Sequence, residues 1–103
     1  MTVAEPTPDG HHVVIKGRKW RATDPDLPGD VAELLRKELM SARRAVGQAL
    51  KTQDRQAERS ARDRVQAAKI ALGERGTPWW EQSPDEREAR WQPLVKELRA
   101  AQP

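Results

Sequence analysis

Apolar residues recur with two different periods along this chain. From His11 to Thr23 they alternate. If the chain reverses at Lys16-Gly17, then Val13, Ile15, Trp20 and Ala22 share one face and His12, Val14, Lys19 and Arg21 take the other. This predicts a β-hairpin over 12–22 with Ile15 opposite Arg18 and Val13 opposite Trp20. Lys is a poor occupant of the first turn position, where φ is positive, so a wider turn with Gly17 alone in the left-handed region fits equally well. A lone two-stranded ribbon is marginal in water, and its Trp20 face is expected to pack on something.

From Asp30 the period becomes helical. Leu35, Leu39, Ala42, Val46 and Ala49 recur at spacings of four and three, and Leu34 and Leu50 widen the stripe. The spacing predicts a helix over 30–51, with Asp30 as N-cap and Glu33 completing a capping box. Gly47 interrupts it, implying either a close helix crossing or a local weakness. Lys51-Thr52-Gln53-Asp54 reads as a turn, with Thr52 or Asp54 capping a second helix over 54–73. Ala57, Ala61, Val65, Ala68 and Leu72 form its matching stripe, with Ile70 and Ala71 beside it. Two heptad-like stripes joined by a short turn predict an antiparallel, coiled-coil-like hairpin. Its base is bulky (Leu35 and Leu39 against Ile70 and Leu72), and its tip is Ala on Ala.

Gly73 and Gly76 are placed as C-cap residues, and Thr77-Pro78-Trp79-Trp80 as an extended linker. Ser83-Pro84-Asp85-Glu86 reads as an N-cap, a proline in the first turn and a capping glutamate for a third helix over 84–101. That helix carries Trp91, Leu94, Val95 and Leu98 on one face, and Pro93 inside it predicts a kink or a late start. Residues 1–10, with two Pro and a Gly, read as a disordered leader. Residues 11–103 then make a single small domain. The expected fold class is mainly α: an N-terminal β-hairpin, a long antiparallel helical hairpin and a third C-terminal helix.

Composition restrains this picture. Val, Leu and Ile number only 17 in 103 residues and there is no Phe, so the core is thin and 14 Ala supply helix propensity and close packing. Without Cys there is neither a disulfide nor a thiolate metal site. The apolar runs are short, and MTVAEPTPDG lacks a basic region followed by an apolar stretch. No membrane span or secretory signal is expected, and a cytoplasmic location is the default. Thirteen Arg against six Lys, with abundant Ala, is the usage of a GC-rich bacterial genome.

A pI of about 9.7 draws attention to basic surfaces. The net charge of +3 is nonetheless spread along the chain, with no polybasic tail. One candidate nucleic-acid surface is the hairpin, where Lys16, Arg18, Lys19 and Arg21 surround Trp20. The competing reading buries Trp20 and leaves the charges as a wet face, which the packing needs of a ribbon favour. A second candidate is the helical tip, with Arg43, Arg44, Arg55 and Arg59 near Lys51 and Arg62 over an Ala core. That tip equally suits a solvated face or self-association. Trp79 and Trp80, beside Pro78, are candidate anchors for a protein partner, although core duty is the commoner role of such residues. His11-His12 has no further His or Cys to complete a metal site. No nucleophile with a base partner and no phosphate-cradling Gly loop is present, so no catalytic, cofactor or metal residue is assigned and no enzyme is expected.

The run Gly17-Arg18-Lys19-Trp20-Arg21-Ala22-Thr23-Asp24-Pro25, followed by Leu27-Pro28, resembles the opening motif of a family of small uncharacterised bacterial proteins. The similarity continues through Leu39-Met40, Ala42-Arg43-Arg44, Leu72-Gly73-Glu74-Arg75-Gly76 and Pro78-Trp79-Trp80, covering most of residues 13–80. Members are often called hypothetical or, by automatic naming, "biopolymer transporter Tol", and often carry Asn where this chain has Lys16. The resemblance implies a shared fold and no activity, and neither an anchor nor a propeller repeat here supports transport. The functional expectation is a non-enzymatic structural or protein-interaction module, with a protein partner or a homodimer. Nucleic-acid binding through the basic hairpin and arm is the alternative.

Overall fold

The structure, a computed structural model, describes residues 4–102. Met1–Val3 of the expected leader and Pro103 lie outside that range. Strands β1 (Glu5–Pro6), β2 (His12–Ile15) and β3 (Arg18–Arg21) precede helices α1 (Gly29–Lys51), α2 (Arg55–Leu72) and α3 (Pro84–Ala100). The protein is therefore mainly α, with a small N-terminal sheet, a helical hairpin and a third helix.

The sheet has one strand more than the alternation predicts. β1 pairs antiparallel with β2, Glu5 opposite Val14 and Pro6 opposite Val13, where a disordered leader was expected. The reversal is made by Thr7-Pro8-Asp9-Gly10. The Asp9 carboxylate accepts from the Thr7 hydroxyl at 2.6 Å and the His11 N–H at 3.0 Å, and Gly10 takes φ +74°. Those two donors hold the Asp9 carboxyl below its ordinary value, the Thr7 bond having the larger effect. β2 and β3 keep the expected register, Val13 opposite Trp20 and Ile15 opposite Arg18. The turn is the tight one: Lys16 (φ +52°) and Gly17 (φ +77°) are both left-handed, as a type I′ hairpin requires.

Helix α1 starts one residue before Asp30, behind Pro28, and has no side-chain cap. The expected Asp30–Glu33 capping box is absent, because Asp30 already lies inside the first turn. Its carboxylate there faces the positive helix end and pairs with Arg99 of α3 at 3.0 Å. Gly47 lies on the open side, and a Cβ there would meet nothing within 4 Å, so no helix crosses closely. Asp54 caps α2 through the Ala57 N–H at 3.0 Å. Gly73 (φ +85°) ends α2, with the Glu74 N–H reaching back to the Lys69 carbonyl. Ser83 and Glu86 cap α3 reciprocally, and the helix runs through Pro93 without a late start. The expected extended linker instead closes into a short 3₁₀ turn at Trp79–Glu81.

The core lies at the hairpin base. Val31, Leu35 and Leu39 of α1 meet Ala68, Ala71 and Leu72 of α2 and Val95 of α3. Trp91, Leu94 and Leu98 complete the α3 face. Toward the tip the buried residues are Ala42, Ala49 and Ala61. Ala57, expected in the stripe, is exposed, and so is Leu50 at 53%. Between base and tip, Arg64 of α2 grips Glu38 of α1 through two bonds of 3.0 and 2.9 Å and also reaches Ser41. The Glu38 bonds raise the Arg64 pKa further above its ordinary value.

Candidate nucleic-acid interface

The segment leaving β3 determines how the sheet sits on the helices. Asp24 is 2% exposed. Its N–H donates to the Leu72 carbonyl at 3.0 Å, beside the end of α2. Its carboxylate accepts from Arg90 of α3 at 2.7 Å and from the Asp26 N–H at 2.9 Å. Arg90 also donates to the Ala71 carbonyl and to Gln82. Arg87 lies 3.6 Å from Asp24, pairs with Asp26 and donates to the Trp79 carbonyl. Thr23 donates to Glu74 at 2.7 Å. A Cβ on Gly73 would stand 3.1 Å from both Asp24 Cβ and Trp79 Cδ1. The Thr-Asp-Pro, Leu-Gly-Glu and Pro-Trp-Trp stretches therefore converge on one knot, and its burial and full pairing make it structural.

Trp79 belongs to that knot. It is buried, its indole N–H donates to the Ala22 carbonyl at 3.0 Å, and the Arg87 guanidinium lies over its ring. It is not available as the partner anchor that its place beside Pro78 suggested. Trp80 is half-buried and stacks on His11 at 3.9 Å between centroids with planes 3° apart. One face of that indole is thereby taken. The His12 Nδ1 beside this cluster is buried without a hydrogen-bond partner.

Trp20 behaves oppositely to expectation. It remains 39% exposed. The Arg18 guanidinium sits 4.3 Å from the Trp20 ring centroid and the Lys69 ammonium of α2 sits 5.5 Å from it. Lys16, Arg18 and Lys19 are exposed on the ribbon around it. Arg21, named with them from the sequence, is committed elsewhere: it donates to the Gly76 carbonyl at 2.7 Å and approaches Trp80. Among the described residues, none of Lys16, Arg18, Lys19 and Arg21 pairs with a carboxylate within 4 Å.

The helical arginines do not form the single arm read from the sequence. Adjacent on one helix, Arg43 and Arg44 line different grooves. Arg43 joins Val46 of α1 with Arg62, Val65, Gln66 and Arg75, in a groove of about 400 Å³ between α1 and α2. Arg44 joins Gly29, Glu33, Arg36, Lys37 and Met40 along α1. Arg55 lies at the tip with Leu50 and Glu58, and Arg59 is exposed on α2.

Two cations escaped the sequence reading. Lys69 is only 8% exposed, yet among the described residues its ammonium has neither a carboxylate within 4 Å nor a hydrogen-bond acceptor. Burial pushes its pKa below the ordinary lysine value; Glu74 opposes this, and Arg75 and Arg43 add to it. Arg75 reaches back to Gln66 at 2.6 Å, which sets it over α2. The available signal was the stripe Arg62, Val65, Gln66, Lys69 at helical spacing, polar where a buried face would be apolar.

Among the described residues no helix is long and apolar enough to cross a membrane, and no group of three His, Asp or Glu could hold a metal ion. Compared with family models, curated proteins and solved structures, the chain matches none of them.

Proposed function

We propose that this protein is a non-enzymatic nucleic-acid-binding module whose working surface is the basic β2–β3 ribbon. One observation carries the reading: Lys16, Arg18 and Lys19 stand exposed, and without a carboxylate partner among the described residues, around the exposed Trp20. The Asp24 carboxylate near the knot is paired with Arg90, so it does little to neutralise the ribbon. Cations on a ribbon contact phosphates and release counterions, and an exposed indole offers a face or edge to a base. A purely protein-binding role has less behind it, since Trp79 is engaged inside the fold and Trp80 gives one face to His11.

The test is fluorescence anisotropy with labelled single-stranded and duplex oligonucleotides at low salt. The wild type binds, and Arg18→Glu with Lys19→Glu loses at least about tenfold in affinity, because two phosphate contacts become repulsive. Arg21 is left unchanged, since it holds the Gly76 carbonyl. Absence of binding by the wild type at low salt ends this reading. A concentration-dependent mass by light scattering would then favour a self-associating module, with exposed Leu50 at the tip as its contact.

A further inference from the structure

We infer that the groove between α1 and α2 is a second phosphate seat, formed by Arg43, Arg62 and Arg75 with Lys69 beside it, for the backbone of the strand that the ribbon holds. This deepens the reading above and rests on it.

Lys69 connects the groove's face of α2 to the ribbon, its ammonium 5.5 Å from the Trp20 ring centroid. Arg62, Val65, Gln66 and Lys69 follow one another at positions i, i+3, i+4 and i+7, so they share a face of α2. Lys69 ends that row against Trp20, whose other cation is Arg18. From α1, Arg43 and Val46 close the groove, and from the loop after α2, Arg75 does. The path from Arg18 over Trp20 and Lys69 to Arg43 and Arg75 is thus lined by cations on both elements. Among the described residues, Arg62 of the groove has a carboxylate partner, Glu58 at 2.8 Å, and Arg18, Lys69, Arg43 and Arg75 have none within 4 Å.

Lys69 sets this face apart, as a lysine whose side chain is largely covered at the end of the row. A lysine this buried ordinarily pairs with a carboxylate or turns its head to water. Here it sits beside an indole and near two guanidinium groups, with Glu74 already accepting from Thr23. Burial of the side chain and the Arg75 and Arg43 charges act against the ammonium while Glu74 supports it, and a phosphate oxygen beside it would add to that support. Val46 and Val65 supply the apolar part of the groove between these cations.

The experiment compares two double reversals of equal charge change. Arg43→Glu with Arg75→Glu alters the groove, and Arg36→Glu with Arg44→Glu alters the other side of α1. None of the four side chains pairs with a carboxylate, and Arg75 bonds only to Gln66, so both proteins keep the wild-type circular dichroism spectrum. Against the same labelled oligonucleotides, the groove variant is expected to lose about tenfold in affinity. It should also flatten the dependence of log K on log salt by about 1.4 to 1.8, the value for two phosphate contacts. The Arg36/Arg44 variant keeps the wild-type slope. Equal losses in both variants, or wild-type affinity in the groove variant while the Arg18/Lys19 variant fails to bind, overturn the seat and leave the ribbon reading standing. Failure of the wild type to bind removes both.

Discussion

The carboxylate of Asp24 and the guanidinium of Arg90, 66 residues apart in sequence, meet at 2.7 Å with their side chains 1% and 5% exposed. This pair ties the segment after the sheet to α3, and Arg90 carries the tie to the end of α2 through the Ala71 carbonyl. Removing one partner of a buried pair strands the other charge, at a cost of about 3–5 kcal/mol. Asp24→Ala is therefore expected to lose that amount, a large share of a total stability on the order of 5–15 kcal/mol for a small domain. Urea denaturation of Asp24→Ala and Asp24→Asn measures it, with the Asn variant falling between Ala and wild type because it keeps an acceptor for Arg90.

Gly73 and Gly47 should respond in opposite directions to the same substitution. Gly73→Ala needs a left-handed alanine whose Cβ presses on Asp24 and Trp79 at 3.1 Å, and it destabilises by about 1–3 kcal/mol. Gly47→Ala meets open space on a continuous helix and stabilises by about 0.5–1 kcal/mol. Paired thermal melts read both, and a loss at Gly47 would mean that α1 does not run unbroken through that position.

Lys69→Met keeps the stem that packs near Trp20 and removes the buried cation. Its stability is expected to stay within about 1 kcal/mol of wild type, because the lost cation–π contact is offset by the relieved burial of charge. Its affinity for oligonucleotides falls all the same. A lysine retained for stability alone would show the opposite pattern, a clear drop in melting temperature with binding intact.

The α3 cap makes a pH prediction. The Ser83 N–H donates to Glu86 at 3.0 Å, and this bond, helped by the Ser83 side chain, holds the Glu86 carboxyl below its ordinary 4.5. A carboxyl with a depressed folded pKa stabilises fully above its unfolded value and loses that contribution as pH falls through the folded one. The stability difference between wild type and Glu86→Gln should be constant above about pH 4.5 and shrink below it. Ser83→Ala, which removes the other half of the cap, should cost about 0.5–2 kcal/mol at neutral pH. Denaturation series from pH 3 to 7 check both.

The helices were legible because their signals are local. The stripe from Leu35 to Ala49, the Asp54 cap and the Ser83–Glu86 box each lie within a few turns of chain, and each appears in place. β1 was legible in principle, since Pro8-Asp9-Gly10 is a turn signature, but two residues of strand give no alternation to read. The knot was not legible, because nothing local in Asp24 announces Arg90. The fates of the tryptophans followed from it. Trp79 is drawn in by the Ala22 carbonyl and Arg87, which leaves Trp20 at the surface against Lys69. The exposed ribbon cations could be named from sequence, whereas Lys69 acquires its character only where the ribbon leans on α2.

The central claim is that the ribbon around Trp20 binds nucleic acid through unpaired cations. The most direct measurement is the affinity of the wild-type protein for a labelled oligonucleotide across a salt series. The account predicts a linear fall of log K with log salt, with a slope of about −3 or steeper for contacts from Lys16, Arg18, Lys19 and the groove, and a shallower slope in Arg18→Glu with Lys19→Glu. Binding that is absent at low salt, or insensitive to salt, would contradict it.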